Sequence, residues 1–207
     1  LTRLVLTNVI YFKANWMNQF DKAATQDGVF HRNDGSTVTV PTMHINEDLA
    51  YGTAADCQFV ALPYVGGQVA MYVIVPDAGR FDVVEAALDG PTLGQMIGGA
   101  TMAHGKLALP KFTFEFSSVL NDALVGMGMT DAFDGDLADF SGINGIPNDL
   151  FISLVIHKSF VAVDEDGTEA AAATAVVMDT MGMPTQSFDL TVDRPFLFAI
   201  VDRPTGA

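Results

Sequence analysis

Cysteine is nearly absent. Cys57 is the single one in 207 residues, which excludes an internal disulfide and leaves the redox compartment open. It stands beside Phe59 and Val60 with no cationic neighbour in sequence to lower its pKa, so a small buried apolar side chain is expected, not a reactive thiol. Positive charge is scarce too. Ten Lys and Arg face 25 Asp and Glu, for a net charge of −15. A surface of that sign repels nucleic acid and anionic membranes and otherwise serves solubility. No run of 18 apolar residues occurs, the length a membrane-crossing helix needs. The four histidines, His31, His44, His104 and His157, show no HExxH or other ligand spacing. Asp134-Gly-Asp136-Leu-Ala-Asp139 is acidic but lacks the glycine and distal glutamate of an EF-hand, so a solvated loop is expected there. There is no GxSxG and no glycine-rich phosphate loop. Nothing in these patterns points to an enzyme, a metal or a cofactor.

What is present is apolar and β-rich. The chain is 49% hydrophobic with a mean hydropathy of +0.30, enough for one large or two small domains. Leu4 to Phe12 has β-branched and aromatic residues without a breaker and is expected as a central strand. Residues 27–30 and 35–44 read as strands around the Asn33-Asp-Gly35 turn, and 49–52 as another. Residues 57–64 and 69–75 read as a hairpin buried on both sides. Two short helices are expected over 81–88 and 91–102, then a long strand over 107–116. Ser117 is expected to cap a helix over 118–129, with Val119, Leu120, Ala123, Leu124 and Met127 on one face. A strand over 150–163 follows. There is no internal repeat. Strands with a few short helices give an α+β architecture, not an alternating α/β one.

Residues 164–184, Asp-Glu-Asp-Gly-Thr-Glu-Ala-Ala-Ala-Ala-Thr-Ala-Val-Val-Met-Asp-Thr-Met-Gly-Met-Pro, hang between β-rich segments. A span of small residues this long is unusual in a domain core and is usually functional or disordered. Two readings compete for Gly167 to Met178. Asp166 and Glu169 form a capping box ahead of four alanines, which favours a helix. Read with period two, Thr168, Ala170, Ala172, Thr174, Val176 and Met178 form an uncharged face, which suits a half-buried strand. Propensity alone favours the helix.

Residues 165–174 resemble the hinge of the reactive-centre loop of serpins, the serine protease inhibitors. The resemblance extends over essentially the whole chain through Asn8-Val-Ile-Tyr-Phe-Lys13 with Trp16, Leu62-Pro-Tyr64, Leu109-Pro-Lys-Phe112, His157-Lys158 and Asp193-Arg-Pro-Phe-Leu-Phe198, in the family's order. It implies a suicide inhibitor. A protease cuts the loop, and the cut loop enters a large sheet as a new strand, a transition that also serves as a general example of strand addition and of order change. The implied hinge is Glu165, Gly167, Thr168, Ala170, Ala171, Ala172, Ala173 and Thr174. Gly167 carries little steric restriction. A bulky or charged residue at Thr168, Ala170 or Ala172 would be buried without a partner, at roughly a few kcal/mol, and none stands there. By the same resemblance Asn8 and His157 belong to the shutter, where a buried Asn and His could satisfy each other, and Trp16 to the breach.

Counting fourteen residues from Gly167 in the family's usual register puts the bait bond at Met181-Gly182, with Thr180 and Met183 as neighbouring alternatives. An unbranched apolar Met suits the specificity pocket of chymotrypsin-, elastase- or subtilisin-like proteases. Trypsin-like enzymes are disfavoured, since no Arg or Lys lies between Lys158 and Arg194. The resemblance further implies a single domain over 1–207 with a reactive-centre loop at 165–187. It also implies that the N-terminal helical half and last strand are missing, that the full-length parent is a monomer, and that its location is extracellular or periplasmic. Neither nucleic acid nor membrane is expected as a partner. The alternative is a non-inhibitory serpin-like binding or folding module.

Overall fold

Runs of β-branched and aromatic residues without breakers make up much of the chain, and they set its strands. The computed structural model describes residues 4–168 and 187–207. In it the strands are β1 (Leu4–Tyr11), β2 (Ala14–Asn15), β3 (Gln26–His31), β4 (Thr37–Ala54), β5 (Cys57–Pro63), β6 (Val69–Pro76), β7 (Thr101–Pro110), β8 (Phe112–Val119), β9 (Ile152–Val163), β10 (Gly167–Thr168), β11 (Ser187–Thr191) and β12 (Leu197–Asp202). The helices are short: α1 (Phe81–Ala87), α2 (Gly90–Gly99), α3 (Asn121–Gly126) and α4 (Ser141–Asn144). Mixed sheets with these helices make an α+β fold. The chain divides into two units, Leu1–Phe12 with Thr113–Val161, and Lys13–Phe112 with Ala162–Ala207.

The second unit holds a seven-stranded sheet in the order β11-β7-β4-β5-β6-β12, with β3 beside the start of β4. The β5–β6 hairpin is buried along most of both strands, as its unbroken apolar runs require. Cys57, Phe59, Ile74, Val84 and Met96 form a core cluster, into which the α1 and α2 side chains pack. Burial raises the Cys57 thiol pKa, consistent with an inert side chain. Three expectations need correction here. The strands expected at 35–44 and 49–52 are one strand, β4, because Ile45 to Asp48 stay paired with Leu107 to His104 of β7. Helix α2 stops at Gly99 and does not reach 102. Asp89 caps its start by accepting from the Thr92 amide at 2.8 Å, and Thr101 already pairs with Tyr51. The single strand expected over 107–116 is two, since Pro110 ends β7 and the chain restarts at Phe112.

In the first unit β1 runs parallel to β9, from Leu4 opposite Ile152 to Tyr11 opposite Phe160. Strand β8 pairs with β9 as well. The helix expected over 118–129 is only α3. Ser117 to Val119 belong to β8, and the Leu120 amide donates to the Val155 carbonyl at 2.9 Å. The Asn121 side chain then binds β9 at both ends, donating to the Ser153 carbonyl at 3.1 Å and accepting from the Val155 amide at 2.9 Å. Bonding to β9 thus overrides the helical pattern of Val119 and Leu120.

Candidate functional site

The chain makes a tight turn after β9. The Asp164 carboxylate folds back to accept from the amides of Asp166 at 2.9 Å and Gly167 at 3.2 Å. The Asp164 amide donates to the Gly167 carbonyl at 3.0 Å. This short side chain closing a turn on its own backbone is what Asp does well. The turn brings Gly167 and Thr168 back as β10, antiparallel both to β9, with Thr168 opposite Val163, and to β2, with Gly167 opposite Asn15. Gly167 lies so close to Ala14 that a Cβ would collide with its carbonyl oxygen, so glycine is required there by space.

Polar groups at this root are buried and matched. Thr168 is fully buried, and its hydroxyl bonds the Tyr64 hydroxyl at 2.7 Å. Burial pushes the Tyr64 phenol well above its usual range, only partly offset by the Thr168 bond, so it stays protonated. Tyr64 stacks on Trp16, with ring centroids 4.6 Å apart and planes 15° apart. The Trp16 indole nitrogen donates to the Asp164 carbonyl at 2.9 Å, and its amide to the Asp166 carbonyl at 2.9 Å. The buried Glu165 carboxylate accepts from Lys111 Nζ at 2.7 Å and from the Thr25 hydroxyl at 2.7 Å. Burial alone would raise its pKa, but these two donors together hold it below the usual carboxylate value. Asp166 pairs with Lys22 at 2.6 Å nearer the surface. Among the described residues no group of three His, Cys, Asp or Glu could hold a metal.

The sequence-derived residues fall into three sets. Trp16, Glu165, Gly167 and Thr168 meet at this root, in the second unit. Asn8 and His157 meet in the first unit, opposite each other on β1 and β9. In this chain Asn8 is exposed and His157 half-buried. Ala170, Ala171, Ala172, Ala173 and Thr174, and the bait candidates Thr180, Met181, Gly182 and Met183, lie outside the described residues. The helical reading fails for its first two residues, since Gly167 and Thr168 form a strand. Sequence reasoning missed Tyr64, Lys111, Thr25 and Asp164 as partners of the root. Tyr64 and Lys111 stand inside motifs already singled out, which gave their positions but not their pairing. Thr25 carried no signal.

Comparison with known proteins follows the same lines. A family model described as Serpin (serine protease inhibitor) matches residues 1–207. An uncharacterised serpin-like protein of Thermococcus kodakarensis is 45% identical over 100% of this chain and 48% of its own length. Leukocyte elastase inhibitor of Homo sapiens is 38% identical over 100% of this chain and 56% of its own length. The crystal structure of native protease nexin-1 with heparin superposes with a TM-score of 0.82 at 30% identity, covering 100% of this chain and 54% of that one. The chain thus spans about half the length of the curated relatives it matches.

Proposed function

The chain belongs to the serpin family, and from that premise we propose that its full-length protein is a suicide inhibitor of serine proteases, with 165–187 as the reactive-centre loop of one domain. The observation that carries this reading is β10. The first two residues beyond the Asp164 turn form a buried strand between β9 and β2, seated against Tyr64 and Trp16. For β10 to lengthen along β9, β1 must part from β9, with which it pairs up to Tyr11 and Phe160, and Ala170 to Thr174 bring no bulky or charged side chain into the opened gap.

In this proposal the serine hydroxyl of the protease attacks the Met181 carbonyl. Its proton passes to the general base and on to the leaving Gly182 amine, leaving the protease esterified to Met181. Lengthening of β10 then carries the acylated protease away from the bait before water can complete hydrolysis. The apolar Met side chain selects chymotrypsin-, elastase- or subtilisin-like proteases. The family includes inhibitors such as leukocyte elastase inhibitor, which supports the elastase-like class.

Incubating the full-length protein with an elastase-like protease is expected to give a covalent complex that survives boiling in detergent. A Met181→Arg variant is expected to trap a trypsin-like enzyme instead. Clean loop cleavage with continued protease turnover would overturn the proposal and leave the non-inhibitory reading.

A further inference from the structure

The second unit contains a cavity of about 420 Å³ that the loop root does not use. Three turns build it: residues 31–33 after β3, residues 76–79 after β6, and residues 193–195 before β12, with Phe81 at the start of α1. Backbone bonds set these walls in advance. The His31 amide donates to the Asp193 carbonyl at 2.7 Å, the Asp77 amide to the Asp56 carbonyl at 2.8 Å, and the Arg80 amide to the Asp77 carbonyl at 2.9 Å. Arg80 also pairs with Asp56 at 2.7 Å. A preformed cavity of this size falls in the lower range of small-molecule sites.

Its charge departs from the rest of the molecule. Two of the chain's ten basic residues, Arg32 and Arg194, line it together with His31. Arg194 donates from Nε to Asp193 at 2.8 Å, so that pair largely cancels. Arg32 is then left facing one acid of the lining, Asp77, with His31 beside it. On a chain of net charge −15, a lining with two Arg against two Asp is a local balance of charge where acids otherwise dominate. A planar guanidinium is suited to two-point capture of a carboxylate, and Phe81 and Pro195 offer flat apolar surface to a ring.

We propose that this cavity binds a small aromatic carboxylate, its ring against Phe81 and Pro195 and its carboxylate on Arg32. Asp77 on the same lining selects one negative charge over two. The site is independent of the inhibitor reading and stands or falls separately from it.

The test is titration of the 207-residue chain with 2-naphthoate, its neutral amide 2-naphthamide and the cation 2-naphthylmethylamine, followed by ligand-observed NMR. Saturable naphthoate binding, about tenfold tighter than the amide, is expected. Arg32→Gln is expected to level the two, Phe81→Ala to weaken both, and Arg203→Gln, away from the cavity, to change neither. Arg32 is exposed in a turn, so the wild-type melting temperature should be retained in that variant. Arg32→Lys serves as a second variant, which keeps the charge, loses the fork and should fall between. Equal binding of acid and amide, a preference for the amine, a preference unchanged in Arg32→Gln, or no saturable naphthoate binding would each overturn the proposal.

Discussion

The loop root and strand β1 are both apolar runs punctuated by a few polar residues, yet they finish in opposite environments. At the root, Trp16 and Thr168 are fully buried and Glu165 is 4% exposed, each with its polar groups matched inside the same unit. On β1, Val9 is 66% exposed and Ile10 and Tyr11 are each 56% exposed, and among the described residues the strand pairs only with β9. The root's polar groups are matched in its own unit, whereas β1 leaves Val9 and Ile10 largely exposed. A self-contained polar cluster should carry stability in this chain, and an exposed apolar strand should carry association.

The contrast breaks most sharply at the ring stack. Trp16→Ala removes a fully buried indole and its two-sided contact with Tyr64 and Asp164, and should cost about 3–5 kcal/mol in urea unfolding followed by circular dichroism. Glu165→Gln should come next. It leaves Lys111 without its countercharge, but the Lys111 side chain is 37% exposed, so solvent offsets part of the loss and about 1–2 kcal/mol is expected.

The same carboxylate predicts a pH dependence. Its folded pKa lies below the unfolded one, so its stabilisation is complete above the ordinary Glu value of about 4.3 and is lost as pH falls through the lower folded value. Stability measured from neutral pH into that acid window should fall less steeply in Glu165→Gln than in the wild type. An unchanged slope would mean the Lys111 and Thr25 bonds do not hold the carboxylate.

Tyr64→Phe should cost about 1 kcal/mol, since it leaves the buried Thr168 hydroxyl unmatched. Adding Thr168→Val should recover much of that, because both ends become apolar. Smallest of all, Val9→Lys on the exposed face of β1 should change unfolding free energy by no more than about 0.5 kcal/mol. It should nevertheless reduce concentration-dependent association seen by light scattering. If Val9→Lys destabilised the chain as strongly as Trp16→Ala, the comparison between the two regions would fail.

How far the sequence could be read depended on the range over which each element is decided. The β5–β6 hairpin was legible because two unbroken apolar runs flank Val65-Gly-Gly-Gln68, all within 20 residues of chain. The turn at Asn33-Asp-Gly35 was legible for the same local reason, with Gly35 at φ +81°. The helix expected over 118–129 was misread because Val119, Leu120 and Leu124 fit a helical stripe, while the bonds that decide the matter come from Ser153 and Val155. The loop root was half legible. Small residues after Gly167 and the Trp16 motif marked it, but Glu165 finds Lys111 and Thr25 across 54 and 140 residues of sequence. No periodicity or propensity encodes such a pairing. A buried carboxylate implies that some cation is near without saying which of ten it is.

The central claim is that the small-residue segment beyond Thr168 extends β10 once its bait bond is cut. The most direct test is the melting temperature of the full-length protein before and after limited cleavage within residues 180–183. The account predicts a large rise in Tm on cleavage, as the freed segment adds its backbone hydrogen bonds to the sheet. A cut protein that melts at or below the temperature of the intact one would contradict it.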